Sequence, residues 1–583
     1  MAQINGPKGT LAAELSNRDG KPTLEVRRDG RTVIEPSPLG IRTLEAEFVE
    51  ELTAEKVEEE SIDERYELPL GKTSEYHHRA TEATFSLSTP TGASVELDVR
   101  VATDGIAYRY RLLGDGEVTV TGEESGFCVP PSEVWYHPYN DRHEAIGRAS
   151  SALPLSGAVA LPATFQLEAD DWVLLTEAGV DGRYAASRLT TGFKDACYAY
   201  EFPGSVTSSL PLETPWRVAI VGDRANLVES TLVTDLVDGS ARTDNGEREG
   251  ALEIEDFDWV RPGRVAWSWW SDIDSPGDYE CQRSYVDYAA DRGWEYVLID
   301  NGWKPEWVPD LVSYANERGV DVLLWERWQE LDTDWKREDQ LARWKSWGVA
   351  GVKIDFMNSD RQERLQFYDD MAAATADYEL MVNFHGSIVP LGLRRRWPHI
   401  VTYEGVYGAE QHPRQTPTHS TVLPFTRNIL GPMDYTPVAF AAPHRLSTAA
   451  HELALAVLFE SGHVHVAEGI DELGNRPVAE SFLETVPATW DETRFLRGRP
   501  GTEATLARRS GETWFVASAS AGPDKTIDLP LEFLEDEYSY AVNLVRDADD
   551  DELELVERSA EVDETLSVPV PENGGFCARF TPK

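Results

Sequence analysis

Acids, indole rings and one lysine recur at the ends of short apolar runs through the middle of this chain. Trp270 and Asp272, Asp300 and Trp303, Trp325 and Glu326, Lys353 and Asp355, Asn383 and His385, and Glu404 each close or follow such a run. Glu410 comes shortly after Glu404, beyond Gly405 and Gly408. An isolated acid in such a place is ordinarily salt-bridged or solvated. Several acids on one rim repel one another unless a cation or a shared proton relieves them. Two chemistries suit that pattern. One is a general acid with a nucleophile, breaking a glycosidic bond. The other is a hard-cation site, since Ca²⁺ takes several carboxylate and carbonyl oxygens. Zinc-type His/Cys spacing, Gly-x-Ser-x-Gly and the phosphate loop are absent from the sequence, which removes those classes.

The elements that would position these residues follow from periodicity. Apolar runs at 265–270, 296–299, 320–325, 349–356, 380–384, 400–403 and 463–467 alternate with helical patterns. In 361–378, Leu365, Tyr368, Met371 and Ala372 fall on one helix face. This alternation predicts a central (β/α)8 TIM-type barrel over residues 259–496, with its site at the C-terminal strand ends. Seven strands can be placed; the seventh in order, between 415 and 460, gives no clear signal. Lys353 lies two residues before Asp355 and on a strand points the same way. Residues 1–258 read as an antiparallel β-sandwich, with alternating runs at 22–26, 94–99 and 117–120. Residues 497–583 read as a smaller C-terminal β-sandwich, in which the acidic stretch 547–554 is expected to be a solvated loop.

The 583 residues carry 54 basic and 103 acidic side chains, a net charge of −49 spread along the whole chain. Such self-repulsion is tolerable where concentrated salt screens it, which predicts a halophilic origin and argues against unaided nucleic-acid binding. Cys128, Cys197, Cys281 and Cys577 are far apart, so neither structural zinc nor a disulfide framework is expected. No apolar run could span a membrane, and residues 1–15 contain no apolar leader. A cytoplasmic location is the resulting expectation; oligomeric state stays open.

Longer motifs carry a resemblance. Val33-Ile34-Glu35-Pro36-Ser37-Pro38-Leu39-Gly40, Asp104-Gly105-Ile106-Ala107-Tyr108-Arg109-Tyr110, Asn383-Phe384-His385-Gly386, Pro424-Phe425-Thr426-Arg427, Gly431-Pro432-Met433-Asp434-Tyr435-Thr436-Pro437 and Pro487-Ala488-Thr489-Trp490-Asp491-Glu492-Thr493 occur in order. Through them the chain resembles glycoside hydrolase family 97 over nearly its whole length. The resemblance implies an N-terminal β-supersandwich, a catalytic barrel, a C-terminal β-domain and Ca²⁺-assisted hydrolysis of α-glycosides. It also implies a nucleophilic Asp at the end of the fourth strand in retaining members, where this chain has Asp355. Inverting members draw base carboxylates from the third and fifth strands. Here the fifth strand offers Asn383 and His385, and only Glu326 follows the third. By similarity the chain falls in the retaining, α-galactosidase-like branch, releasing terminal α-galactosyl residues by double displacement. Glu410 is then the acid/base and Glu404 a calcium ligand, with the reverse order the competing assignment. Thr176-Glu177-Ala178 resembles the segment that sends an acid into the site, so Glu177 is expected on calcium, with Asn383 a weaker ligand. Lys353, Asp300, Trp303, Trp325 and His385 are expected to shape the sugar pocket. An α-glucosidase, a β-L-arabinopyranosidase and a non-catalytic carbohydrate-binding barrel are the alternatives.

Overall fold

The computed structural model describes residues 2–583 apart from 19, 131, 155–156, 192–196, 243–247, 252–253 and 412–415. The first part of the chain is almost entirely antiparallel sheet. Its strands include the sequence-predicted Lys21–Arg28, Ser94–Ala102 and Glu117–Glu123. Alternation works there as expected: Leu97, Val99 and Val101 turn into an apolar core with Ile106, Tyr108 and Tyr110 of the neighbouring strand. Cys128 and Cys197 stand opposite each other on paired strands and form a disulfide. The sequence expectation missed this bridge because sheet register, not chain spacing, brings the two thiols together.

The middle of the chain is a nearly closed parallel barrel. Its strands are Gly263–Trp267, Tyr296–Ile299, Asp321–Arg327, Gly351–Asp355, Met381–Phe384, Ile400–Tyr403 and His463–Val466. They pair in that order, with the last beside the first. Among the described residues there are seven strands, not eight. Between the sixth and the last runs the segment Met433 to Pro437, bridged to its neighbours by backbone bonds. Asp434 N donates to the Tyr403 carbonyl at 2.9 Å, Met433 N to Glu460 at 2.7 Å, and Ala467 N to the Pro437 carbonyl at 3.0 Å. Positive φ at Thr436 (52°) and Val438 (70°) breaks the extended path. That is why no strand pattern can be read there.

Helices pack outside the strands as their periodicity demands. Gln362–Asp377 buries Leu365, Tyr368, Met371 and Ala372. The C-terminal part holds a six-stranded and a two-stranded antiparallel sheet around a separate apolar cluster. Its acidic stretch is not merely solvated. Asp547 accepts from Ala450 N at 2.9 Å and Thr448 Oγ1 at 2.7 Å, and Asp551 accepts from Ala449 N at 3.0 Å. These acids cap the barrel helix Ala449–Leu458, whose N-terminal N–H groups have no partners within the helix.

Candidate active site

Strand register decides which predicted residues share the barrel mouth. Trp325, Lys353, Asn383 and Thr402 stand side by side on four successive strands, forming one inward-facing rung. Asp355 and His385 lie one step further up their strands. Lys353 is buried, with its Nζ 3.1 Å from Asp300, 3.9 Å from Glu410 and 4.9 Å from the centre of the Trp267 ring. Burial opposes its charge, but Asp300, Glu410, Asp355 and Asp434 outweigh burial and hold the ammonium above its ordinary pKa. Trp267 Nε1 donates to the same Asp300 oxygen at 2.8 Å.

Asp355 is aimed by two donors. Trp325 Nε1 reaches one oxygen at 2.9 Å and Phe356 N the other at 2.5 Å. Phe356 adopts φ 63°, so the chain kinks straight after the acid and leaves it partly open. Trp303 donates to the Trp325 carbonyl at 2.7 Å and packs against Trp347; its part is to brace Trp325. Glu326 is paired in register with Ile354, which is fully buried on the helix side. It therefore points away from the rung that carries Trp325 and Lys353.

Glu404 and Glu410 converge with His385, their ligand atoms all within 4.8 Å of one another. Glu404 accepts from Gly386 N at 2.6 Å and Gln411 Nε2 at 2.9 Å. Gly386 has φ 54°, and a Cβ there would sit 2.5 Å from Asn358 Oδ1, so glycine is needed to present that N–H. Arg427 is fully buried and spends its donors on the carbonyls of Tyr403, Glu404, Gly405, Gly431 and Pro432. It fixes the backbone that carries Glu404. Glu410 keeps one buried oxygen with no hydrogen-bond partner. Burial raises its carboxyl above the ordinary range; Lys353 and His385 pull it down, and Asp355 and Asp300 push it further up.

Three participants were not expected from sequence. Glu144 comes from the loop after the N-terminal-region strand Glu133–Pro138. Burial raises its carboxyl to about 7; Arg142 lowers it, and Glu410 and Asp355 add to the rise. Its charge therefore belongs to the same cluster. Asp434 is buried and its side chain ties the fifth strand to the last, accepting from Asn383 Nδ2 at 2.6 Å, His385 Nε2 at 2.8 Å and His465 Nδ1 at 3.0 Å. Burial works against its charge, yet the two histidines hold its carboxyl well below the usual range. This leaves His385 Nδ1 turned toward Glu404 at 3.6 Å. Asn383 Oδ1 is buried without a partner. Gln411, which steadies Glu404, is the third.

Glu177 is not brought to this cluster. It is 1% exposed inside the N-terminal sheet, in register with Arg217, and accepts from Arg217 at 2.5 Å and Ser187 N at 2.7 Å. Its charge is already met by the Arg217 guanidinium, and the N-terminal-region acid whose charge acts on Glu404 is Glu144 instead. The loop that carries Glu144 is docked through histidines. His137 bonds Thr426, and His419 accepts from Gly147 N at 3.0 Å. Burial depresses His137 and His143 to about 4 and His419 to about 3. The unfolded chain protonates these rings near pH 6.5 while the folded one does not. Their contribution is thus present above pH 6.5 and lost as pH falls toward 4, at roughly 1–2 kcal/mol per ring by pH 5. His143 has φ 58°, which asparagine tolerates. The expected result for His143→Asn is a shallower fall of Tm between pH 6.5 and 4, read by calorimetry.

Known proteins match this architecture throughout. The glycosyl-hydrolase 97 N-terminal model matches residues 4–238, the glycoside hydrolase 97 model residues 259–406, and the glycosyl-hydrolase 97 C-terminal, oligomerisation model residues 489–581. A probable retaining alpha-galactosidase of Streptomyces bingchenggensis is 41% identical over 98% of this chain and 91% of its own length. A retaining alpha-galactosidase of Bacteroides thetaiotaomicron is 26% identical over 93% and 90%. The crystal structure of a beta-arabinopyranosidase superposes with a TM-score of 0.91 at 29% identity, covering 99% of this chain and 100% of that one. With three successive models matched and 41% identity over almost the whole length, the chain belongs to glycoside hydrolase family 97 and is a glycosidase.

Proposed function

We propose that this chain is a retaining exo-α-galactosidase in which Asp355 is the nucleophile and Glu410 the acid/base. The observation that carries the reading is that Asp355 and Glu410 both act on the charge of Lys353, Glu410 from 3.9 Å, and Asp355 on that of Glu410, with Glu326 turned to the helix side. An inverting enzyme would need that third-strand carboxylate in the pocket. The retaining alpha-galactosidases among its relatives support the same reading.

In the first step the Asp355 carboxylate attacks the anomeric carbon and the bond to the leaving oxygen breaks. Glu410 gives that oxygen its proton. In the second step water attacks the anomeric carbon, its proton returns to Glu410, and Asp355 leaves. Two inversions give net retention. Lys353 and Asp300 are placed to hold sugar hydroxyls, and Trp325 steers Asp355.

The acidic cluster fits a calcium ion. Glu404 and Glu410 bring hard oxygen donors together, the charge of Glu144 acts on Glu404 and is itself raised by Glu410, burial and neighbouring carboxylates raise all three, and one Glu410 oxygen lacks a hydrogen-bond partner. Glu144 and Glu404 would hold the ion, with Asn383 Oδ1 and Glu410 beside it. Bound there, Ca²⁺ would offset the repulsion and polarise the site. Glu144→Gln is expected to raise the calcium concentration giving half-maximal activity by about tenfold or more. A titration of EGTA-treated enzyme checks this, and an unchanged midpoint would remove Glu144 from the site.

Proton NMR of the first sugar released from p-nitrophenyl α-galactoside tests the stereochemistry. The α-anomer first supports the reading; the β-anomer first overturns it. A β-L-arabinopyranosidase is the second reading, favoured by the 0.91 superposition on such an enzyme. The acidic composition favours molar salt as the assay condition. No described helix is long and apolar enough to cross a membrane, and the Cys128–Cys197 bridge favours an oxidising compartment over the cytoplasmic one.

A further inference from the structure

We propose that Trp270 is a positioning residue for the acid/base: its indole N–H holds the backbone that aims Glu410. The inference rests on the acid/base reading of Glu410. Trp270 follows the first barrel strand, Gly263–Trp267, and its Nε1 donates to the Ala409 carbonyl at 3.2 Å. Ala409 directly precedes Glu410. The first strand pairs with the second and the last, and the sixth is not its neighbour. The bond therefore crosses the barrel mouth and joins two loops that no strand pairing holds together.

Both ends of the tie are anchored. On the Trp270 side, Ser268 Oγ accepts from Ser275 Oγ at 2.7 Å and from Gln282 Nε2 at 2.8 Å, and Asp272 N donates to the Ser268 carbonyl at 3.0 Å. These bonds fasten the turn to the helix Tyr279–Asp291, where Gln282 is fully buried. On the other side, Ala409 is fully buried and its N–H donates to the Tyr435 carbonyl at 2.9 Å. A Cβ on Gly408 would sit 2.7 Å from that same carbonyl oxygen, so the loop lies this close only with glycine there. The N–H and the C=O of Ala409 are thus both spent, one on each flank. Glu410 Oε2, by contrast, is buried without a hydrogen-bond partner among the described residues, with Lys353 Nζ at 3.9 Å. The direction of that carboxyl is therefore set by the backbone behind it. A misplacement of about 1 Å is enough to cost a catalysed step ~10²-fold.

The test measures kcat/KM for aryl α-galactosides of graded leaving-group pKa, from phenyl to dinitrophenyl, on wild type, Trp270→Phe, Trp270→His and Glu410→Gln. Phenylalanine keeps a ring and removes the N–H. Histidine puts Nε2 at the ring position of the indole Nε1 and removes only the second ring. Trp270→Phe is expected to lose about tenfold on the phenyl galactoside, whose leaving group needs the proton. On the dinitrophenyl galactoside, which needs none, it should stay within about twofold of wild type. Trp270→His should recover most of the loss. Unchanged kinetics in Trp270→Phe overturns the proposal. An equal fall on every substrate, or loss of dinitrophenyl galactoside turnover through misfolding, makes the indole a packing residue and also overturns it. A leaving-group dependence in Trp270→His as steep as that in Trp270→Phe credits the ring and not the N–H, with the same consequence. Failure of Glu410→Gln to steepen the dependence would instead indict the acid/base reading.

Discussion

Replacing Asp355 with alanine should lower turnover of an aryl α-galactoside by at least ~10⁴-fold, a loss of the size expected when a nucleophile is removed from a site that otherwise stays assembled. Two features make the deletion specific. The side chain is at the partly open end of its strand, so its loss leaves no cavity in the apolar core. Its two donors, Trp325 Nε1 and Phe356 N, stay in place around a space the size of a small anion. Azide or formate can enter that space and attack the same face of the sugar. With azide the product should be the β-galactosyl azide, formed by a single inversion with Glu410 still donating the proton. Mass spectrometry and NMR of the product read this directly. A variant that keeps turnover within about tenfold of wild type cannot have lost its nucleophile, and attention would then pass to Glu326.

Glu410→Gln should cost about 10²–10⁴-fold with an alkyl or sugar leaving group, the range of general acid catalysis. A dinitrophenyl leaving group needs no proton and should be affected far less in the first step. The pH profile carries the sign. Glu410 is raised first by burial and then by Asp355 and Asp300, against Lys353 and His385. It must be protonated to act as acid, so wild-type activity falls as pH rises through that raised pKa. Glutamine has no proton to lose, and the alkaline limb should vanish in the variant. If Glu404→Gln, and not Glu410→Gln, removes that limb, the two acids exchange roles. Glu404 is the poorer candidate because Gly386 N and Gln411 already occupy its oxygens.

Residues on regular elements were legible before the fold was known. Lys353 and Asp355 stand out because a strand alternates its faces and a parallel barrel strand ends in its site. Glu177 misled through the resemblance of Thr176-Glu177-Ala178 alone. It ends an apolar strand, but that strand lies inside an antiparallel sheet where Arg217 waits opposite. Glu144 gave no periodic signal, since it sits in a loop of another region. Only the polar density of Asn140-Asp141-Arg142-His143-Glu144, around a histidine that proves buried, could have marked it.

The sequence by itself determined the order of β, barrel and β regions, the family, and the acids at the ends of the fourth and sixth barrel strands. Those follow from periodicity and motif, which are local. Tertiary structure alone decided that Glu326 faces the helices, that Glu144 crosses from the N-terminal sheet, and that Asp434 ties the fifth barrel strand to the last through a segment too irregular to read. It also paired Cys128 with Cys197. Each of these depends on which distant residue a side chain meets, and that is set by register and docking, which spacing along the chain does not encode.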